Sequence, residues 1–232
     1  MRAACYIGDR SLAVVDAEAR EPRAQEVVID VAYTGICGTD LHILHGAMDQ
    51  RVELPIVLGH EMAGTVAAIG GAVDEWTLGD RVTVMPLSWC GECPACRAGH
   101  SHICHRLDFL GIDSPGSMQT QWVVPSDVLL ELPASLALTH AALAEPTAVA
   151  VHDVNRAALR EGERVVVVGG GPIGMLVASV ARSRGADVVL FEVSEQRLAL
   201  ARELGLRALD PSGEDVAEFV AEWTNGAAAD VS

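Results

Sequence analysis

The chain of 232 residues contains no lysine, so its positive side chains are arginines. Acidic residues outnumber basic ones, with 32 Asp and Glu against 16 Lys and Arg, and the formal net charge at pH 7 is -16. Nucleic-acid binding needs a basic surface against the phosphate backbone, so this balance argues against DNA or RNA as a partner. We expect the acidic surface mainly to favour solubility.

Long apolar runs are also missing. Half of the residues are hydrophobic, which is enough for a sizeable core, but no run reaches the roughly 20 residues of a membrane-spanning helix. The first six residues lead into acidic sequence without the pattern of a signal peptide. We therefore expect a cytoplasmic protein with no membrane contact.

The residue pattern changes along the chain and predicts two domains. Up to about residue 134, short β-branched segments alternate with glycine turns, which is typical of a partly closed β-barrel. From residue 164, strand and helix patterns alternate, which predicts a parallel sheet with crossover helices. An alanine-rich stretch lies between them. We place the boundary there, with residues 1–150 as one domain and 151–232 as the other.

Four of the six cysteines form a compact sequence group, the four-cysteine cluster of Cys90, Cys93, Cys96 and Cys104. Their spacing, C-x2-C-x2-C-x7-C, lets four thiolates surround one zinc ion and leave no position open. A redox C-x-x-C pair is a weaker alternative, because no strand–helix thioredoxin pattern surrounds it. The acidic composition argues against a nucleic-acid zinc ribbon. The cluster therefore predicts a structural zinc site.

A second set of metal-binding residue types is spread along the chain. Its members are Cys37, His60, Glu61 and Glu145. A thiol, an imidazole and a carboxylate form a zinc site that keeps one position open, and zinc there acts as a Lewis acid toward a bound alcohol. Thr39 and His42 follow Cys37 closely and are candidates for carrying the alcohol's proton away. Their alternative roles are a helix N-cap and an exposed helical position.

A glycine-rich turn follows the strand pattern at 164–168 and precedes a helix pattern. Its candidate cofactor-binding residues are Gly169, Gly171, Pro172, Ile173 and Gly174. In this context G-x-G-x-x-G predicts a dinucleotide site, where glycines permit a tight turn and the helix N-terminus faces the pyrophosphate. Glu192, 18 residues after Gly174, can accept the ribose hydroxyls of NAD and repel the 2′-phosphate of NADP. Arg197 lies close in sequence and can weaken that preference.

Five motifs occur together in a fixed order. They are C-G-T-D-L-H at 37–42, G-H-E-M-A-G-T-V-A-A-I-G at 59–70, the four-cysteine cluster, E-P-T-A-V-A-V-H at 145–152 and G-G-G-P-I-G at 169–174. Together they resemble the zinc-dependent medium-chain alcohol dehydrogenases, and most of all the polyol and threonine dehydrogenase branch. The resemblance implies a chaperonin-10-like β-barrel catalytic domain, an α/β Rossmann-type domain, and assembly as a homodimer or homotetramer.

The same resemblance implies roles for single residues. The catalytic zinc would be bound by Cys37, His60 and an acidic ligand, for which Glu61 and Glu145 are both candidates because family members differ at this point. Thr39 matches the hydroxyl of the family's proton relay, and His42 matches a histidine near the zinc of threonine dehydrogenases. The implied cofactors are NAD and two zinc ions per chain, one catalytic and one structural.

The family's proteins are longer than this chain. Residues 229–232 stand where a fourth Rossmann strand is expected to begin, so we expect that domain to be incomplete on its nicotinamide side. Our first hypothesis is an NAD-dependent, zinc-dependent oxidation of a secondary alcohol, such as a polyol, a sugar-like compound or an amino alcohol. The alternative is a truncated, non-catalytic, zinc-stabilised fragment or pseudoenzyme.

Overall fold

The computed structural model describes residues 1–213 and 215–232. The chain divides into two compact units, Met1–Glu145 and Pro146–Ser232. The domain boundary expected at 150/151 lies inside the helix Ala144–Arg156, which also contains this point of division. As a boundary between domains it stays a prediction. No helix in the described part of the chain combines the length and the apolarity needed to cross a membrane.

The first unit consists mainly of short strands. They are β1 Arg2–Tyr6, β2 Leu12–Asp16, β3 Glu26–Thr34, β4 Ile56–Val57, β5 Met62–Ile69, β6 Arg81–Val84, β7 Leu87–Ser88, β8 Asp108–Phe109, β9 Gln121–Pro125 and β10 Leu129–Glu131. The helices are α1 Gly38–Leu44, α2 Pro94–Arg97, α3 Leu138–Ala141 and α4 Ala144–Arg156, the last of which continues into the second unit. Short 3-10 turns occupy Ser101–Ile103 and Ser126–Val128.

Five of these strands form an antiparallel sheet in the order β10-β6-β5-β3-β9, and β2-β1-β4 form a smaller sheet. A bridge between Ala3 and Gln119 links β1 to the segment before β9. In β9 the buried side chains of Trp122 and Val124 alternate with partly exposed neighbours, as expected for a strand with one face on a core. This unit has the β-rich character that the sequence predicts.

The pairing of β3 with β5 brings two distant chain segments together. The antiparallel register ends with Thr34 opposite Met62. Residues that follow β3 and residues that precede β5 therefore lie at the same end of the sheet. The residues that follow β3 include the bend around Cys37, and those that precede β5 include His60 and Glu61.

The second unit contains a parallel sheet with strands in the order β11-β12-β13. Its elements are β11 Arg164–Val168, α5 Pro172–Ser183, β12 Asp187–Phe191, α6 Glu195–Glu203, β13 Arg207–Leu209 and α7 Val216–Trp223. Residues of β12 after Asp187 are all buried, which is typical of a parallel strand covered on both faces. Val231 forms a parallel bridge to Val165, at the position where the sequence predicts a fourth strand.

Candidate functional site

Three of the predicted ligands meet at the end of the five-stranded sheet. One ligand atom each from Cys37, His60 and Glu61 lies within 4.8 Å of the others, and we call these residues the three-donor group. His60 and Glu61 are buried, with 3% and 7% of their surface exposed, and Cys37 is half-buried. A sulfur, an imidazole nitrogen and a carboxylate oxygen suit zinc, and three protein ligands leave a position open. The donor set therefore fits a catalytic zinc ion.

A buried carboxylate ties the two segments of the three-donor group together. Asp40 Oδ2 accepts a hydrogen bond of 2.8 Å from the N–H of Cys37, which caps α1. Asp40 Oδ1 accepts one of 3.2 Å from the N–H of Gly59, next to His60. Sequence reasoning did not single out Asp40. The sequence did carry a signal for its role, because Asp40 lies three positions after the helix cap Cys37, where an acidic side chain can accept a hydrogen bond from the cap N–H.

The absence of a side chain at Gly35 makes room for the carboxylate of Glu61. A Cβ atom at this glycine would overlap Glu61 Oε2. The N–H of Gly35 also donates a hydrogen bond of 2.6 Å to the backbone carbonyl of Glu61. Gly38, on the other side of Cys37, has open space around the same position. Only the first of these two glycines is therefore required by contact with the three-donor group.

Burial changes the acidity of the three-donor group in the metal-free chain. Desolvation raises the pKa of the Cys37 thiol, and the N–H and hydroxyl of Thr39 offset part of this rise. Desolvation also raises the pKa of Glu61, while His60 lowers it. In both groups burial shifts the balance toward the protonated form, and because a metal ion binds the deprotonated ligands, metal binding is expected to release protons.

The remaining candidates lie at different distances from this site. Glu145, in α4, is half-buried and its carboxylate is outside the three-donor group. Burial raises its pKa, His60 lowers it and Glu61 raises it, so it is within electrostatic reach of both residues. Thr39 is half-buried near the start of α1, whereas His42 is exposed in its last turn. Their roles stay predictions.

The four-cysteine cluster is closely packed. The Sγ atoms of Cys93 and Cys96 are 3.5 Å apart, those of Cys104 and Cys90 3.5 Å, and those of Cys93 and Cys104 3.9 Å. All four are free thiols. A tetrahedral zinc ion with bonds of about 2.3 Å would separate its sulfur ligands by about 3.8 Å. The cluster therefore fits a closed, structural zinc site.

Backbone amides point at the sulfur atoms of the cluster. The N–H of Cys93 donates to Cys90 Sγ at 3.4 Å, and the N–H of Arg106 to Cys104 Sγ at 3.3 Å. Hydrogen bonds from backbone N–H groups, first that of Glu92, lower the pKa of Cys90 to about 6. Burial and the neighbouring sulfurs raise the pKa of Cys96 to about 12. Sulfurs this close cannot all ionise unless a cation balances them.

The glycine turn of the second unit has the geometry of a dinucleotide loop. Gly169 has φ +96°, and a Cβ at Gly174 would overlap its carbonyl oxygen, so strand and helix approach closely here. Gly171 caps α5, and Pro172 is the first helical residue. Ile173 follows in the first turn and is 41% exposed. The N-terminus of α5, a helix of 12 residues, therefore lies directly behind the turn.

Glu192 lies directly beside this turn. Its Oε2 accepts a hydrogen bond of 2.8 Å from the N–H of Gly170, and its Oε1 accepts from Val193 and Ser194 at 2.7 and 2.8 Å. Backbone hydrogen bonds, first that of Ser194, lower the pKa of Glu192 to about 2. Arg197 Nη1 lies 3.4 Å from Oε2. The turn is therefore bordered by a fixed negative charge.

Comparison with known proteins gives the family. A model described as "Alcohol dehydrogenase GroES-like domain" matches residues 23–134, and one described as "Zinc-binding dehydrogenase" matches residues 172–232. A relative from Pseudoalteromonas atlantica, named 2-dehydro-3-deoxy-L-galactonate 5-dehydrogenase, is 52% identical over 231 residues, which are 100% of this chain and 68% of that protein. The chain belongs to the zinc-binding alcohol dehydrogenase family.

Other members of the alcohol dehydrogenase family also match most of this chain. A sorbitol dehydrogenase from Halalkalibacterium halodurans is 36% identical over 97% of this chain and 66% of its own length. A solved zinc-binding dehydrogenase from Sinorhizobium meliloti, bound to NADP, is 35% identical with a TM-score of 0.88, over 94% of this chain and 64% of that one. The chain spans 68% of the length of the Pseudoalteromonas protein and 54% of the length of an Aspergillus clavatus protein named "Probable D-xylulose reductase A".

Family membership confirms the predicted resemblance and the predicted fold class, a GroES-like domain followed by an incomplete Rossmann-like domain. The predicted class, a zinc-type oxidoreductase related to polyol dehydrogenases, is confirmed as well. Zinc and a nicotinamide dinucleotide are supported as cofactors, and a small molecule as substrate. The predicted oligomeric state and cytoplasmic location stay predictions.

Proposed function

We propose that this alcohol dehydrogenase oxidises a secondary alcohol of a polyhydroxylated substrate with NAD as hydride acceptor. The observation that carries the proposal is the three-donor group, in which a half-buried thiol meets a buried imidazole and a buried carboxylate. The names of the relatives support the substrate class. The relative that is 52% identical is named for a sugar acid, and another for sorbitol. Sugar acids and polyols are therefore the first compounds to test.

The residues of the first unit have separate roles in this proposal. Cys37, His60 and Glu61 hold the catalytic zinc, which when bound supplies a Lewis acid that favours loss of the alcohol's proton. Thr39 and His42 are three residues apart on α1 and so share a helix face. The Thr39 hydroxyl accepts the alcohol's proton while passing its own proton on toward the imidazole of His42, which is exposed and releases it to solvent. The four-cysteine cluster holds a second, structural zinc ion.

The second unit binds the dinucleotide in this proposal. The helix N-terminus behind Gly169–Gly174 attracts the pyrophosphate, and the Glu192 carboxylate accepts the ribose hydroxyls. Its fixed negative charge disfavours the 2′-phosphate of NADP. The side chain of Arg197 is 56% exposed and reduces this discrimination only in part.

We expect Glu192→Ala to weaken the preference for NAD over NADP by about tenfold, since removing one fixed charge relieves repulsion worth on the order of 1.4 kcal/mol. Calorimetric affinities for both dinucleotides would measure it. Glu195→Ala is the matched control, because this exposed carboxylate lies in the first turn of α6. An unchanged affinity ratio in Glu192→Ala would remove Glu192 from the cofactor site.

The proposed function is tested with the intact chain after loading with zinc. Metal analysis should give two zinc ions per chain, and spectrophotometry should detect NADH with a 2-dehydro-3-deoxy sugar acid or with polyols such as sorbitol. His60→Ala should lose one zinc ion and all NADH formation. Full zinc loading of the wild type without NADH formation from any sugar acid, polyol or amino alcohol would contradict the proposal and favour the non-catalytic alternative.

A further inference from the structure

His60 is a buried candidate ligand with an unusual environment. Its Nδ1 atom has no hydrogen-bond partner in the described residues, and the carboxylate oxygen Oδ1 of Asp40 is 4.0 Å away. That separation is too long for a hydrogen bond. Metal-binding histidines usually have one ring nitrogen hydrogen-bonded to a carboxylate or carbonyl, which fixes the ring plane. The group nearest to Nδ1 of this kind is the Asp40 carboxylate, and packing against the ring adds a further constraint on its orientation.

The aromatic ring of Phe109 supplies that packing. The ring centroids of His60 and Phe109 are 5.2 Å apart, and the planes are inclined by 87°. This T-shaped arrangement is a preferred geometry for aromatic pairs, and it constrains the tilt of both rings. Phe109 comes from a different chain segment than any residue of the three-donor group.

Phe109 is itself held firmly. Its strand, β8, pairs with β7 through Leu87. Its N–H donates a hydrogen bond of 3.1 Å to Asp113 Oδ2. Asp113 in turn accepts two hydrogen bonds of 2.8 Å from the guanidinium of Arg51. A backbone position with this support can transmit a fixed orientation to the ring that it carries.

We propose that Phe109 is a positioning residue, which holds the imidazole of His60 in the orientation needed to bind a cation together with Cys37 and Glu61. This inference rests on the proposed metal site and concerns metal affinity. It does not depend on which alcohol is oxidised.

The test uses Co²⁺ as a spectroscopic probe in place of zinc, with a competing chelator to measure affinity at each site. Phe109→Ala should bind cobalt about tenfold more weakly at the three-donor group, at the lower end of the effect of outer partners on metal sites. The absorption of cobalt in the four-cysteine cluster should not change. Phe109→Tyr retains the ring and should restore the affinity, whereas Phe109→Leu retains apolar bulk and should not.

Val124→Ala is the control for a general loss of packing. Val124 is 1% exposed in the core of the same unit and belongs to a different apolar cluster from the one that Phe109 packs against. It should lower the melting temperature and leave both cobalt affinities unchanged. If Phe109→Ala does not fold, the Tyr and Leu variants alone decide the question.

The outcomes separate this inference from the proposed function. Wild-type affinity in Phe109→Ala, or in Phe109→Leu, would overturn the positioning role while leaving the proposed function intact. An equal loss in Val124→Ala would also overturn it, because the effect would then follow stability. A wild-type chain that binds cobalt only at the four-cysteine cluster would overturn both.

Discussion

The four-cysteine cluster and the three-donor group are both compact, but they form in opposite ways. In each, the ligand atoms lie within 4.8 Å of one another. The cysteines come from one continuous stretch, where short turns and α2 set the spacing. The members of the three-donor group come from two segments that meet only because β3 pairs with β5. The first arrangement is local, and the second depends on the sheet.

The two groups also differ in how well their polar atoms are satisfied. Sulfurs of the cluster receive backbone hydrogen bonds, including those from Cys93 and Arg106. In the three-donor group, burial raises the pKa of Cys37 and of Glu61, and His60 Nδ1 has no partner in the described residues. A closed site suits a structural ion. An open site, whose ligands have few hydrogen-bond partners, suits an ion that must also bind substrate.

Cys93→Ser should have the largest effect, because it removes a buried ligand of the structural zinc ion that we propose for the cluster. We expect the free energy of unfolding of the zinc-loaded chain to fall by about 4 kcal/mol or more. One zinc ion per chain should be lost. Urea denaturation and metal analysis would measure both.

Cys5→Ser is the matched control for this variant. Cys5 and Cys93 are each 8% exposed, but Cys5 lies outside both ligand groups. It should cost about 1 kcal/mol and leave the zinc content unchanged. Similar losses from the two variants would mean that burial, and not metal binding, explains the effect.

Gly35→Ala should weaken zinc binding at the three-donor group by about 10- to 100-fold, because the new methyl group would displace the Glu61 carboxylate. Competition with a chromogenic chelator would measure the affinity, and the four-cysteine cluster should keep its ion. Gly38→Ala is the control, since nothing lies within 4 Å of the added atom. Wild-type affinity in Gly35→Ala would instead favour Glu145 as the acidic ligand.

The smallest expected effect is a difference in thiol reactivity in the metal-free, folded chain. Only the thiolate is alkylated readily, and it forms as the pH rises through the pKa. Alkylation of Cys90 should therefore rise through about pH 6. Burial raises the pKa of Cys37 and of Cys5, so both should react only at higher pH than an ordinary thiol. Mass spectrometry of labelled peptides would show this, and coincident profiles for Cys90 and Cys37 would contradict it.

Much of the second unit was predictable from the sequence. The strand pattern at 164–168 agrees with β11, and the helix pattern expected after the glycine-rich turn corresponds to α5, Pro172–Ser183. A parallel sheet buries both faces of its strands, so it leaves continuous apolar runs that are easy to recognise. Glu192, a predicted cofactor-binding residue, lies beside the glycine turn, and its role in binding the cofactor stays a prediction.

Contacts around the three-donor group were not predictable in the same way. Asp40, Gly35 and Phe109 each act on a ligand from another segment. In a sequence, however, an aspartate is commonly explained as a surface charge, a glycine as part of a turn and a phenylalanine as a core side chain. Only the paired strands reveal which atoms they touch.

The sequence by itself determined the family, the four-cysteine cluster and the dinucleotide turn. In the cluster and the turn, the functional atoms are separated by a few residues, so chain geometry alone keeps them close. The tertiary structure decided that Glu61 joins Cys37 and His60 while Glu145 lies outside their group, and that Phe109 packs against His60. Such contacts between distant segments depend on strand register, and a shift of one residue would turn each side chain to the opposite face.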